Sequence, residues 1–397
     1  MSKSRDIADS AATINFIDGL TSAAQTQINS KAPIASPVFT GAVTASSFVG
    51  DGSTLTGVGS EIQTVTRTSN TILDSNNNSN LIDITSGTFT QTFTSAATLG
   101  NGWFCYIRNS GTGDITLDPA GSETIDGLAS FKMYPQEMRL IQSDGTNLTS
   151  TVLKSFYKTF TASGTFAKPP GYTSFGGMLW GGGGAGAIRN YGSASGGGGG
   201  ACNIFNVISS TISSSCSVVI GAGGAAQTTA SNIAASSGGF SSFDGALYAY
   251  GGGGGISNSY SYPQVSGGGG GGIFSSGEAG STSLFSFGGK PNPSINTTQG
   301  LDNSGFGGAS SSTNFNGYAF AGGGSGGGNS STVGGGESVY GGGGGASSGY
   351  PYGGVSRFGG YGGSTGDGVI PAGGGAGTSS SPSGAGARGE LRIWGIV

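Results

Sequence analysis

Glycine comes in runs between residues 176 and 386, at 181–184, 196–200, 251–255, 267–272, 322–324, 326–328, 341–345 and 373–375. Of the 86 glycines, 14 fall in residues 1–150, which leaves 72 for the last 247 residues. A conventional side-chain core cannot be built from such a stretch, because glycine has nothing to bury and loses the most backbone freedom on folding. Either the region is a flexible linker or its backbones pack directly on one another. The segments between the runs, such as 256–266 (ISNSYSYPQVS) and 346–358 (ASSGYPYGGVSRF), are too rich in aromatic and branched residues for a Gly/Ser linker. Direct backbone packing is the expectation.

That packing has a physical form. Polyproline-II-type chains have about three residues per turn, rise about 3.1 Å per residue and make no internal hydrogen bonds. Their N–H and C=O groups therefore need partners on neighbouring chains. A run of six such as 267–272 would span roughly 19 Å at that rise. The intervening segments become loops at the ends of a rigid slab. Collagen is excluded, since strict Gly-X-Y is absent and proline totals 12. Polyglycine-II chains and glycine-rich β-strands both remain open at this point.

Composition narrows the function. Only 9% of residues are charged and the net charge is −4, so no basic surface points to nucleic acid. The start, MSKSRDIADS, lacks the apolar centre of a signal peptide, and no apolar run is long enough to span a bilayer. Synthesis and assembly in a cytoplasm are expected, with Cys105, Cys202 and Cys216 as buried reduced thiols. Histidine is absent, which removes His-based triads and His metal sites. Cys202 and Cys216 alone do not make a zinc site. The acids of the glycine region (Asp244, Glu278, Asp302, Glu337, Asp367) are scattered singly, without the pairing a glycosidase needs. No Gly-Lys-Ser/Thr follows a glycine run to make a phosphate loop. The chain is therefore expected not to be an enzyme, with no catalytic residue, no metal and no cofactor.

Four regions follow in order. In residues 1–30, Ile14, Ile17, Leu20, Ala24 and Ile28 form one narrow apolar helical stripe, best buried against copies of itself. Residues 31–60 hold prolines that impose extended backbone. Residues 61–154 show short strand-like runs at 62–68, 81–84, 88–94, 103–109, 114–117, 138–143 and 148–153, separated by turn signals, and predict a β-sandwich-like knob. Residues 155–397 form the glycine-rich tip. Its apolar segments at 156–160 and 172–180 and the terminal 389–397 (GELRIWGIV) are expected as strands, the last pairing with 172–180 to close the glycine region between them.

Particular strings sharpen this reading. Lys31-Ala32-Pro33-Ile34-Ala35-Ser36-Pro37-Val38-Phe39-Thr40-Gly41, followed by Ser47-Phe48-Val49-Gly50-Asp51-Gly52-Ser53-Thr54-Leu55-Thr56-Gly57-Val58, resembles the shaft segments of bacteriophage tail fibres. Residues 102–109 (GWFCYIRN) and 121–127 (GSETIDG) resemble a module of the same fibres, and 160–171 with the RGELRIWGIV ending resembles their C-terminal glycine-rich domains. More loosely, in composition and run-and-loop layout, the region is similar to the polyglycine tip adhesins of contractile-tailed phages. The resemblance implies an all-β, elongated trimeric fibre in the virion tail. Its parts would be a short N-terminal helix in a virion attachment segment, a shaft, the knob and the tip. Its partners would be two further copies of itself, a baseplate or tail protein at the N-terminus, and a host surface glycan or outer-membrane protein. A polysaccharide-degrading tailspike and a bare structural filament are the alternatives.

The receptor surface is expected in the loops between glycine runs, at Arg189, Asn190 and Tyr191; Asn258, Tyr260 and Tyr262; and Tyr350, Tyr352, Arg357 and Phe358. Tyrosine offers a rigid contact face at low entropic cost, with Ser, Gly and Asn beside it for adaptable hydrogen bonds. The opposing expectation is that these aromatics fill gaps at the rim of a glycine slab.

Overall fold

The computed structural model describes residues 62–189, 193–258, 265–282, 285–289, 310–311, 319–328, 334–348, 350–379 and 382–397. Contacts divide the chain into two units, Met1–Glu61 and Ile62–Val397, and the second is described here. The expected helical stripe and shaft lie outside the described residues, as do Asn190, Tyr191, Tyr260 and Tyr262. The described chain is mostly β. No helix among the described residues is long and apolar enough to cross a membrane.

The first strands form two sheets around one core. β1 (Thr64–Arg67), β2 (Leu81–Ile84), β4 (Phe104–Asn109), β7 (Met138–Ser143) and β8 (Leu148–Lys154) make the larger sheet, in that spatial order. β3 (Phe89–Thr92), β5 (Ile115–Asp118) and β6 (Phe131–Met133) make the smaller one. Alternation along β4 buries Cys105 and Ile107, which meet Ile82, Ile84, Ile115, Leu117, Met133 and Ile141 in a dry interior. The sequence predicts the hairpin of β7 and β8, but not the parallel pairing that precedes it. β2 pairs in parallel with β4, and β3 with β5, so 81–92 stacks on 104–118 as successive turns of one coil. Glycine at the corners permits it: a Cβ on Gly113 would lie 2.0 Å from the Gly87 carbonyl oxygen.

A second pair of sheets follows. β9 (Tyr157–Phe160), β11 (Ser174–Trp180), β12 (Cys202–Ile208) and β18 (Glu390–Ile396) form one sheet, ordered β12-β11-β18-β9. β10 (Gly164–Ala167), β13 (Ser215–Val219), β14 (Ser241–Phe243) and β15 (Leu247–Ala249) form the other. The terminal strand pairs antiparallel with β11, Leu179 opposite Leu391 and Gly177 opposite Ile393, as the sequence predicts. Leu391 and Ile393 are fully buried. Trp394 points to the other face, half-buried, and stacks on Tyr157 at 6.3 Å. Two short pieces, β16 (Phe285–Ser286) and β17 (Ser310–Ser311), pair with each other.

Residues from both sides of residue 155 share this second core. Tyr134 packs among Phe156, Phe166 and Phe175, and its hydroxyl donates to the Ala167 carbonyl at 3.0 Å. Nearby, the buried Arg139 donates to Glu137 at 2.7 Å, to Ser150 at 2.8 Å and to the Pro170 carbonyl at 2.8 Å. Burial pushes the Glu137 carboxyl up, against the opposing pull of the Arg139 guanidinium and the N–H of Tyr134. Removing one partner of such a buried pair leaves an uncompensated charge, a cost of about 3–5 kcal/mol.

The glycine runs start where these strands end. Trp180, Cys202, Ala249 and Glu390 are strand termini, and runs 181–187, 195–201, 250–256 and 384–389 continue from them. Along 181–187 the N–H donors go to three neighbours in rotation. Residues 181, 184 and 187 donate to 201, 198 and 195; 182 and 185 to 239 and 236; 183 and 186 to 387 and 384. Along 195–201, residues 195, 198 and 201 donate to 256, 253 and 250; 196 and 199 to 327 and 324; 197 and 200 to 375 and 372. This repeat of three is that of polyproline-II-type chains, not of two-sided β-strands. The same run 195–201 also accepts from 187, 184 and 181, from 268 and 271, and from 345 and 342, so it has six neighbours. Side-chain absence is what allows this closeness. An added Cβ would stand 2.1 Å from a neighbouring carbonyl oxygen at Gly198 and 2.0 Å at Gly184.

Candidate functional site

Because successive runs cross the lattice in opposite directions, their connections fall at two ends. Each crossing of five or six residues spans about 15–20 Å. One end abuts the second sandwich. At the other, residue 188 bridges 378 and residue 194 bridges 257. The hydrogen bonds Arg189 N to Thr378 O (2.8 Å), Ser348 N to Ala194 O (2.9 Å) and Ala194 N to Ser348 Oγ (3.0 Å) tie the loops together. Gln227 joins them by accepting from Ile188 N at 2.9 Å and, through its own N–H, donating to Ser383 Oγ at 2.8 Å.

The described members of the predicted receptor surface divide between the ends. Arg189, Asn258, Tyr350 and Tyr352 lie at the loop end. Tyr352 is 64% exposed. Its ring is 5.0 Å from that of Tyr350, which is half-buried against Gly334. Asn258 is buried, its Oδ1 accepting from Ser193 N at 2.9 Å while Nδ2 has no partner. Arg357 and Phe358 stand at the sandwich end. Phe358 stacks on Tyr340 at 4.7 Å, and the Tyr340 carbonyl accepts from Trp180 Nε1 at 2.6 Å. Phe358, still 45% exposed, thus caps the junction of lattice and sandwich.

Between the loops of the far end lies a cavity of about 190 Å³ that the sequence reading does not anticipate. Six hydroxyl side chains line it: Ser347, Ser348, Ser364, Thr365, Thr378 and Ser379, with Pro351 and Gly377 completing the wall. Ser364, Thr365, Ser379 and Pro351 are exposed and form the rim, whereas Ser347 is 2% exposed. Ser347 Oγ has no hydrogen-bond partner. Ser364 Oγ accepts from Gly353 N at 3.3 Å. The cavity carries no charged side chain on its wall. The only sequence signal is the Ser/Thr content of the loops; which of many serines converge depends on how the runs cross.

Among the described residues, no group of three or more His, Cys, Asp or Glu is placed to hold a metal ion. Cys105, Cys202 and Cys216 are buried free thiols, each pushed up in pKa by burial. Asp367 accepts from Ala385 N at 2.8 Å, an architectural bond at the end of a run.

No curated protein matches the chain at a significant level. The family model described as Glycine-rich domain matches residues 159–394, which takes in β10 to β15, most of β18 and every run of the lattice. With well over half of its length matched, the chain belongs to the glycine-rich domain family.

Proposed function

We propose that this protein is a trimeric bacteriophage tail fibre that attaches to the virion by its N-terminal segment and binds a host surface receptor through the loop end of its glycine lattice. The observation that carries the reading is the gathering of described loop residues from separate runs at one end of the hydrogen-bonded glycine lattice, with Tyr352 exposed beside hydroxyl-bearing loops. A lattice held by hydrogen bonds to several neighbours presents such loops with little ordering cost on binding. The shaft-like strings of residues 31–58 support the fibre assignment.

Host adsorption tests it. Tyr352→Ala removes an exposed ring and is expected to reduce adsorption while oligomeric mass, three times that of one chain by light scattering, and melting temperature stay unchanged. Phe358→Ala at the opposite end is expected to leave adsorption intact. Equal adsorption by parent and Tyr352→Ala moves the receptor site elsewhere, and a monomeric mass overturns the trimer. A drop in polysaccharide chain length on incubation with the protein would favour the tailspike alternative.

A further inference from the structure

We propose that the hydroxyl-lined cavity at the loop end binds a single neutral sugar ring. This deepens the receptor-binding reading and rests on it for the source of the sugar, a host surface glycan. Pockets enclosing drug-sized ligands run to about 300–1,000 Å³. A cavity of about 190 Å³ suits one ring, with the rest of a chain leaving through the exposed rim. Its wall lacks the charged groups that would select an anion or a cation. What it offers is hydroxyl chemistry in several directions.

The partnerships of those hydroxyls point to a ligand. Ser347 Oγ is buried and unpartnered, and buried polar groups are nearly always satisfied. A sugar hydroxyl supplies both a donor and an acceptor for it. Ser348 Oγ and Ser364 Oγ each accept a backbone N–H, so each retains a proton to donate outward. Pro351 lines the wall and sets an apolar face beside the polar floor. A pyranose has the matching combination, hydroxyls around its edge and C–H groups on its faces. A peptide side chain of similar size would meet six hydroxyls with fewer polar partners.

The test uses the full-length protein with glucose, galactose, mannose and N-acetylglucosamine, each titrated to tens of millimolar by saturation-transfer-difference NMR. At least one is expected to bind, one per chain. Ser347→Ala should weaken that binding about two- to tenfold, the worth of one neutral hydrogen bond. It should not lower the melting temperature, because the hydroxyl removed is unpaired in the free protein. Thr365→Trp at the exposed rim should block binding, and Phe358→Ala should not affect it. Absence of binding by all four sugars overturns the inference, with water as the cavity's occupant. So does binding that neither Ser347→Ala nor Thr365→Trp changes. Adsorption of the parent protein to host cells separates the two readings. Adsorption without sugar binding refutes the cavity and leaves the receptor function standing; sugar binding without adsorption does the reverse.

Discussion

Replacing Gly198 by Ala tests whether close backbone packing is what the glycines provide. The new Cβ would stand 2.1 Å from the Gly269 carbonyl oxygen, and ordinary contact begins at 3.4 Å, so one chain must retreat by about 1.3 Å. The chain it pushes is held on several sides. Gly269 accepts from Gly253 N and donates to Glu278 O, both at 2.8 Å, while Gly268 and Gly271 donate to residues 196 and 199. A shift of that size takes a 2.8 Å hydrogen bond beyond bonding distance. Two buried bonds lost at about 1–3 kcal/mol each give a destabilisation of about 2–6 kcal/mol. In a domain of this size that lowers the melting temperature by on the order of 10 °C. Gly164→Ala is the control, since nothing lies within 4 Å of its added Cβ and its φ is not positive. It is expected to be neutral or to stabilise by up to about 1 kcal/mol through the unfolded chain. The assay is thermal and urea unfolding of the full chain by circular dichroism. If Gly198→Ala melts with Gly164→Ala, the runs do not need glycine for close approach and the lattice argument fails.

Two further predictions use titratable groups. Cys105, Cys202 and Cys216 are fully buried and burial raises each pKa, that of Cys216 to about 12, so iodoacetamide at pH 8 should label none in the folded protein and all three in denaturant; a thiol that reacts natively refutes the packing around it. Asp83 accepts two hydrogen bonds from Arg108, at 3.0 and 2.7 Å, and Arg108 holds the Asp83 carboxyl below its ordinary value of 3.8 despite the opposing effect of burial. A lowered folded pKa contributes stability that is present above about pH 4 and lost as pH falls through the folded value. Asp83→Asn should therefore lose about 1 kcal/mol or less at pH 7, since Arg108 is 41% exposed, and the difference from the parent should vanish near pH 2; a difference that persists in acid assigns the loss to packing instead.

Much of the β framework was legible because it is written locally. An apolar run with alternating burial marks β4, a Ser-Asp-Gly turn marks the β7–β8 hairpin, and the terminal strand carries Leu391 and Ile393 at the spacing that buries one face. β6, three residues with a lysine in the middle, carries no strand signal, and β10 and β12 to β15 are likewise not among the strands expected from the sequence. The parallel stacking of β2–β3 on β4–β5 was also missed, because its signal is a pair of glycine corners 26 residues apart rather than a local pattern. Trp394 faces away from that core because period-two alternation puts it opposite to Leu391 and Ile393.

The glycine region shows most clearly where sequence stops and tertiary structure begins. Runs of glycine by themselves determined that backbones must approach one another directly, since no side chain stands between them. They did not determine which run meets which, because one glycine run is chemically the same as another. That choice belongs to the sandwich: β11 and β15 end at Trp180 and Ala249, β12 and β18 begin at Cys202 and Glu390, and each joins its run to the lattice at a set position. Direction of crossing then put Tyr350 and Tyr352 at one end and Arg357 and Phe358 at the other, although only a few residues separate them in sequence. The hydroxyl cavity has the same origin. Ser347, Ser364 and Thr378 belong to different connections, and they meet only because the three-residue repeat of hydrogen bonds brings those connections to a common level.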